Sequence, residues 1–256
     1  MEAPHGAIYK AKSIQKLDDN LYVFHGTARV KSIARINRNM VVLRHNKREL
    51  TLINPVRLIL EDEAKLLQLG IIQRIIRLAP RHGASHDKYY LEKYPGVRRW
   101  APGVITSTKG GGSDNDLPVH RLLTEEDDAI LPACHVFLFG ETAEAECCVL
   151  LLRDYVGNLL VTADALQSQR DNPYINMPVR AKLGTEGMLD QDVVIAPAWL
   201  RTMSHSSTHK KVLKREFERL LRLDFEQLIA ASGVMLYEQA KEKCVVAVEH
   251  AFPLWG

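Results

Sequence analysis

A run of β-branched residues that ends in chain-breaking punctuation constrains this protein more than any other feature. Ile71-Ile72-Gln73-Arg74-Ile75-Ile76-Arg77-Leu78 reads as a buried strand, and Pro80 and Gly83 mark where the chain leaves the sheet. His82, His86 and Asp87 follow directly, so three potential ligands or proton carriers sit at one strand mouth. Imidazole nitrogen and carboxylate oxygen suit zinc, iron or manganese, and close spacing lowers the entropy of gathering them. The same residues have a plainer reading, in which Asp87 caps a helix beginning near Lys88 and both histidines are loop residues open to water.

Other strands surround this one. Leu21 to His25, Arg29 to Ile36, Met40 to Arg44 and Glu49 to Ile53 read as an antiparallel meander, with turns at Asp18-Asp19-Asn20, Asn37-Arg38-Asn39 and His45-Asn46-Lys47. Leu58 to Leu69 carries leucines at helical spacing, and Glu61, Asp62 and Glu63 in its first turn complement the helix dipole. A short helix over Lys88 to Tyr94 stops at Pro95-Gly96, and Val97 to Ala101 reads as a strand. A second β block comprises Val119 to Leu123, Cys134 to Phe139, Cys147 to Arg153 and Asn158 to Thr162, the last two joined as a hairpin by Asp154-Tyr155-Val156-Gly157. Helices are expected over Thr208 to Leu223 and Val234 to His250, with a strand at Glu226 to Ala230 between them. The Gly110-Gly111-Gly112 stretch lacks the Lys-Ser or Lys-Thr of a phosphate loop and reads as a surface loop.

Composition narrows the class. With 256 residues and 46% hydrophobic content the chain can bury a substantial core. The 34 basic and 31 acidic residues leave only +3, spread along the chain, so nucleic acid is not demanded as a partner. The basic cluster from Lys210-Lys211 to Lys214-Arg215 reads as a solvated helix face. Cys134, Cys147, Cys148 and Cys244 form no CxxC pair, which points away from a zinc ribbon or disulfide framework and towards a reduced, cytoplasmic protein. No run of 18 apolar residues implies a membrane span, and the first residues have no signal-peptide core. His205 and His209 lie four apart, but Ser206, Ser207 and Thr208 between them read as a loop and helix N-cap. His25, before Gly26, reads as a turn residue, while His120 and His135 look structural. No GxSxG elbow and no GxGxxG fingerprint occur, which removes the usual serine-hydrolase and dinucleotide-binding readings.

The order of strands, a histidine-bearing loop, and a second β block ending in Leu159-Leu160-Val161-Thr162-Ala163-Asp164-Ala165-Leu166 resembles the metallo-β-lactamase superfamily. The helix ending at Tyr94-Pro95 and the strand reaching Ala101-Pro102 resemble one little-characterised branch of it, and the likeness runs from about Asp18 to Phe252. The resemblance implies an α/β fold, an αββα four-layer sandwich of two facing mixed sheets flanked by helices, spanning residues 1–256 as a single domain. It also implies that Asp164 corresponds to a carboxylate shared by two metals. The family's HxHxDH loop is altered here to His82, Ala84, His86 and Asp87. Glu141, in Gly140-Glu141-Thr142, stands where the family has a histidine, and Ser232-Gly233 occupies the place of the last one.

The candidate metal set is therefore His82, His86, Asp87, Glu141 and Asp164, with Asp87 and Asp164 as candidate catalytic carboxylates. Two imidazoles and a carboxylate suffice for one zinc, iron or manganese ion, not for a dinuclear zinc site. Two accounts follow. One is a hydrolase with a rearranged mononuclear site acting on an ester, thioester, lactone, amide or phosphodiester, with Asp87 or Asp164 orienting the nucleophile or taking its proton and Arg81 able to hold an anionic group. The other is a noncatalytic relative that binds a small molecule or a protein partner and holds no metal.

Overall fold

The computed structural model describes residues 7–30, 33–46, 48–79, 84–103, 117–125, 133–140, 145–204 and 206–253. The chain divides into two compact units, one of residues 1–123 and 174–176, the other of residues 124–173 and 177–256.

The first unit is built on a seven-stranded mixed sheet with the strands in chain order. The antiparallel meander comprises β1 (Lys10–Asp18), β2 (Leu21–Val30), β3 (Ala34–His45) and β4 (Glu49–Ile53). It continues in parallel through β5 (Ile71–Ile76), β6 (Arg98–Ala101) and β7 (Arg121–Leu122). Helix α1 (Leu60–Leu69) connects β4 to β5, and α2 (Ala84–Lys93) connects β5 to β6. Alternation along the strands sends Phe24, Met40, Val42, Leu50, Leu52 and Ile75 into one core with Leu66 of α1 and Tyr90 of α2. Tyr90 donates its hydroxyl hydrogen to the Val56 carbonyl at 2.9 Å, which satisfies its polar tip inside that core.

The second unit has a four-stranded sheet in the order β13-β10-β9-β8. Strands β8 (Cys134–Leu138), β9 (Cys147–Leu151) and β10 (Leu159–Val161) are antiparallel, with the expected hairpin joining the last two, and β13 (Gln227–Ile229) pairs with β10 in parallel. A small ribbon joins β11 (Leu166–Gln167) to β12 (Val194–Ile195). Helices α3 (Met177–Thr185), α4 (Pro197–Met203), α5 (Ser207–Leu220) and α6 (Ala240–Ala251) belong to this unit. Phe137, Phe139, Trp199 and Phe217 pack with Leu160, Leu228 and Cys244 into its core. All four cysteines are buried and free. No helix among the described residues is long and apolar enough to cross a membrane.

Several expectations are corrected. The Asn37-Arg38-Asn39 turn is the middle of β3, because Asn37 and Asn39 pair with Thr27 and His25 across β2, and the His25 ring nitrogen Nδ1 lies 2.9 Å from Asn39 Oδ1. A cross-strand partner has outcompeted the local turn chemistry of asparagine. His25 is consequently a buried strand residue, stacked on Tyr174 at 5.5 Å. Helix α2 begins at Ala84, not near Lys88, so Asp87 lies inside its first turn and is not its cap. Residues 234–239 precede the last helix, which runs only from Ala240 to Ala251. The cap expected before α5 is present, with the Ser206 side chain accepting the His209 backbone N–H at 3.2 Å. The glycine-rich segment at residues 107–116 and His205 lie outside the described residues.

Candidate functional site

In the first unit the end of β5 and the start of α2 converge on one carboxylate. After Ile75 and Ile76 fill the core, Arg77 is held by its backbone N–H on the Trp100 carbonyl at 3.0 Å. Asp87 reaches it from the first turn of α2 and is completely buried, at 0% exposure. Arg77 Nε donates to both Asp87 oxygens at 3.1 and 3.3 Å, and its Nη2 donates to Asp87 Oδ1 and to the Pro55 carbonyl. Arg99, in the middle of β6 and 1% exposed, donates from Nε to the other oxygen at 2.8 Å. Both oxygens of Asp87 are thereby engaged, and two guanidinium charges face one carboxylate. Stripping one partner from such a buried arrangement typically costs about 3–5 kcal/mol.

His86 precedes Asp87 but looks elsewhere. Its Nδ1 accepts the Arg57 backbone N–H at 3.3 Å, and its ring meets Tyr9 edge-on at 5.5 Å. Burial, followed by the positive charge of Arg77, pushes its pKa down to about 3, against the opposing pull of Asp87. The imidazole is neutral at ordinary pH, and acceptance at Nδ1 assigns its proton to Nε2.

In the second unit, Asp164 follows β10 as the resemblance implies, and its backbone is pinned by a residue the sequence reading passed over. Glu146, 1% exposed, accepts the N–H groups of Asp164 and Ala165 on Oε1 at 3.0 and 2.9 Å, and the Trp199 indole N–H on Oε2. Burial, then the neighbouring Asp164 charge, raises its pKa to about 8. Ser232 sits in a network of neutral side chains. Gln169 Nε2 donates to Ser232 Oγ at 2.8 Å and to Gln167 Oε1 at 3.0 Å, the Ser232 hydroxyl donates to Gln167 Oε1 at 3.1 Å, and Asn172 Nδ2 donates to Gln169 Oε1 at 2.8 Å. Gly233 beside it has φ +99°, and a Cβ there would lie 2.1 Å from the Ser168 carbonyl oxygen, so only glycine fits.

Of the five candidate ligands, His86 and Asp87 belong to the first unit and Asp164 to the second, while His82 and Glu141 lie outside the described residues. Among the described residues no group of three or more His, Cys, Asp or Glu is placed to hold a metal ion. The His86 and Asp87 donors do not fit one on physical grounds either. The carboxylate is engaged by two cations, and the imidazole nitrogen that would ligate is already an acceptor in a positive field. Arg77, Arg99 and Glu146 were legible only as exceptions. Arg77 and Glu146 are charged residues directly flanking apolar strands, and Arg99 lies within β6 itself, positions at which a buried charge demands a partner.

No family model matches this sequence, and no curated protein does. Solved structures do resemble it. The metallo-β-lactamase FIM-1 from Pseudomonas aeruginosa, in its mono-zinc form, superposes with a TM-score of 0.60 at 10% identity, over 96% of this chain and 98% of its own. VMB-1 superposes at 0.62 with 12% identity and the same coverage, and a metallo-β-lactamase from Erythrobacter litoralis at 0.57 with 10% identity over 93% and 92%. The chain has the α/β-sandwich fold of the metallo-β-lactamases.

Proposed function

We propose that this chain uses the metallo-β-lactamase fold as a small-molecule-binding module, with arginine guanidinium groups standing at Asp87 where a hydrolase of this fold would carry a cation. The observation that carries the proposal is the Asp87 carboxylate, both of whose oxygens are taken by Arg77 and Arg99. Four free, buried thiols suit a reducing, cytoplasmic setting for it. Metal analysis of protein expressed in zinc-, manganese- and iron-supplemented medium tests it. The reading predicts less than about 0.1 equivalent of any transition metal and no thermal stabilisation on adding one. A full equivalent retained through purification would sink it.

One observation favours a second reading. The Asp164 backbone, fixed by Glu146 at the end of β10, holds a carboxylate at the strand terminus where the resemblance puts a metal ligand. In that reading Asp164 would be one ligand of a single zinc, iron or manganese ion. The bound ion would supply Lewis-acid activation for hydrolysis of an ester, thioester, lactone or phosphodiester. The same metal analysis on Asp164→Asn decides this. A bound equivalent that disappears with the substitution supports the hydrolase, and identical low content in both proteins supports the binding module.

A further inference from the structure

Helix α1 turns acids inward and leucines outward. Its buried residues are Asp62, Glu63 and Leu66, while Leu60 and Leu67 face solvent at 74% and 41% exposure. Asp62 accepts the Ala11 backbone N–H at 2.7 Å, and Glu63 accepts the hydroxyls of Tyr89 at 2.8 Å and Tyr94 at 2.6 Å. These bonds fix the rotation of the helix about its own axis, so the leucines cannot roll inward without stranding two buried carboxylates. Leu60, Ala64 and Leu67 form one outward row, and Ile71, 58% exposed, follows just past the end of the helix. Single exposed leucines are ordinary, but spacings of four, three and four residues are those of a seam along which one helix packs on another.

We infer that this row is the contact surface between two copies of the chain, with their α1 helices antiparallel across a two-fold axis beside Ala64. The inference goes beyond the binding reading and does not depend on it. Shape and charge both select a second copy. Antiparallel pairing about Ala64 sets Leu60 of each copy against Leu67 of the other, and the small alanine at the crossing lets the helix axes approach to about 8 Å. Glu61 and Lys65, four residues apart, lie along one flank of the row. The same pairing brings Glu61 of each copy to Lys65 of the other, so the flank is self-complementary, as a two-fold contact requires. Exposed Glu61 makes no ion pair among the described residues. Lys65, its side chain 57% exposed, engages Asp62 through one ammonium hydrogen and keeps others to donate. Parallel pairing would instead set each of these charges against its own kind.

The test is sedimentation velocity of the full chain over a concentration series. The expected result is a reversible monomer–dimer equilibrium with a Kd on the order of 10 µM, as suits a short contact with one apolar centre. Leu67→Glu places a charge against Leu60 of the other copy and should weaken the dimer at least about 30-fold. Glu61→Lys should weaken it about tenfold, and Glu61→Lys combined with Lys65→Glu should restore it to within about threefold of the native chain. Cross-linking reads the geometry directly, because all four native cysteines are buried and an introduced surface thiol reports alone. Ala64→Cys should oxidise to a disulfide-linked dimer. Leu60→Cys should not, since its two copies lie about 12 Å apart along the antiparallel pair, beyond disulfide reach.

A chain that stays monomeric at every concentration overturns the inference and leaves the row to a different protein. A dimer that Leu67→Glu leaves intact overturns it as well, because the contact then lies elsewhere. Cross-linking of Leu60→Cys as readily as Ala64→Cys overturns the antiparallel pairing, as does a dimer lost in Glu61→Lys and not regained on double reversal. Should Leu67→Glu fail to fold, the substitutions at Leu60, Glu61, Ala64 and Lys65, all on the outer side of the helix, carry the test.

Discussion

Asp87 in the first unit and Glu146 in the second are buried almost equally, at 0% and 1% exposure, yet they are compensated by opposite means. Asp87 faces two formal positive charges, while Glu146 is held by three neutral N–H donors and feels a second carboxylate, Asp164. The first arrangement keeps a charge inside the protein by pairing it. The second pushes the acid towards its neutral form. Burial alone therefore does not tell what a carboxylate does, and the charge of its donors decides whether it anchors an ion cluster or clamps a backbone turn.

The contrast breaks most easily at Arg77. Arg77→Met takes away the donors to both Asp87 oxygens and to the Pro55 carbonyl, acceptors that stay buried, so denaturant unfolding should show a loss of about 3–5 kcal/mol. A loss below about 1 kcal/mol would mean that the cluster is solvated and the contrast false. In the second unit, Gly233→Ala forces a Cβ against the Ser168 carbonyl at positive φ and should cost on the order of 3 kcal/mol in the same assay, since backbone geometry holds Ser232 in its network.

Two pH slopes of opposite sign sharpen the comparison. Glu146 is raised from 4.5 to about 8, so its contribution to stability is complete below about pH 4.5 and is lost as pH rises through 8. Glu146→Gln should flatten that alkaline-side decline, a difference on the order of 2 kcal/mol between the two stability profiles. His86 is lowered from 6.5 to about 3, so its contribution is present above pH 6.5 and is lost as pH falls towards 3. Its imidazole resonances, followed by NMR, should not titrate between pH 5 and 8, and a midpoint near 6.5 would contradict the burial and the positive field assigned to that ring. The smallest effect is expected at Glu63, a third buried carboxylate with a mixed set of donors, the Tyr89 and Tyr94 hydroxyls and the half-exposed Lys93 ammonium. Lys93→Met should cost about 1 kcal/mol, because both hydroxyls remain and water reaches the lysine. A loss as large as that of Arg77→Met would place Glu63 with Asp87.

The strands that form short apolar runs were legible in the sequence, β4, β5, β9 and β10 among them, because burial and pattern agree there. The metallo-β-lactamase resemblance was legible in their order. Strand β1 was not, since Lys10 to Asp18 alternates half-buried with exposed residues and carries three lysines on its open side. Helix α3 was missed because it presents no buried stripe, and α4 because seven residues starting at a proline give no period to read. At the site, the sequence singled out His86, Asp87 and Asp164 as candidates. It did not reveal what each faces, because the partners arrive from elsewhere in the chain. Arg99 meets Asp87 from 12 residues away and Glu146 meets Asp164 from 18, and neither separation follows a local motif.

The central claim is that guanidinium groups, not a metal ion, engage the Asp87 carboxylate. Anomalous diffraction from crystals soaked in zinc and in manganese tests it most directly. The account predicts no anomalous peak within bonding distance, about 2.0–2.2 Å, of the Asp87 carboxylate or the His86 ring, with both arginines still on the carboxylate. An ion ligated there by both residues, with Arg77 or Arg99 displaced, would contradict it.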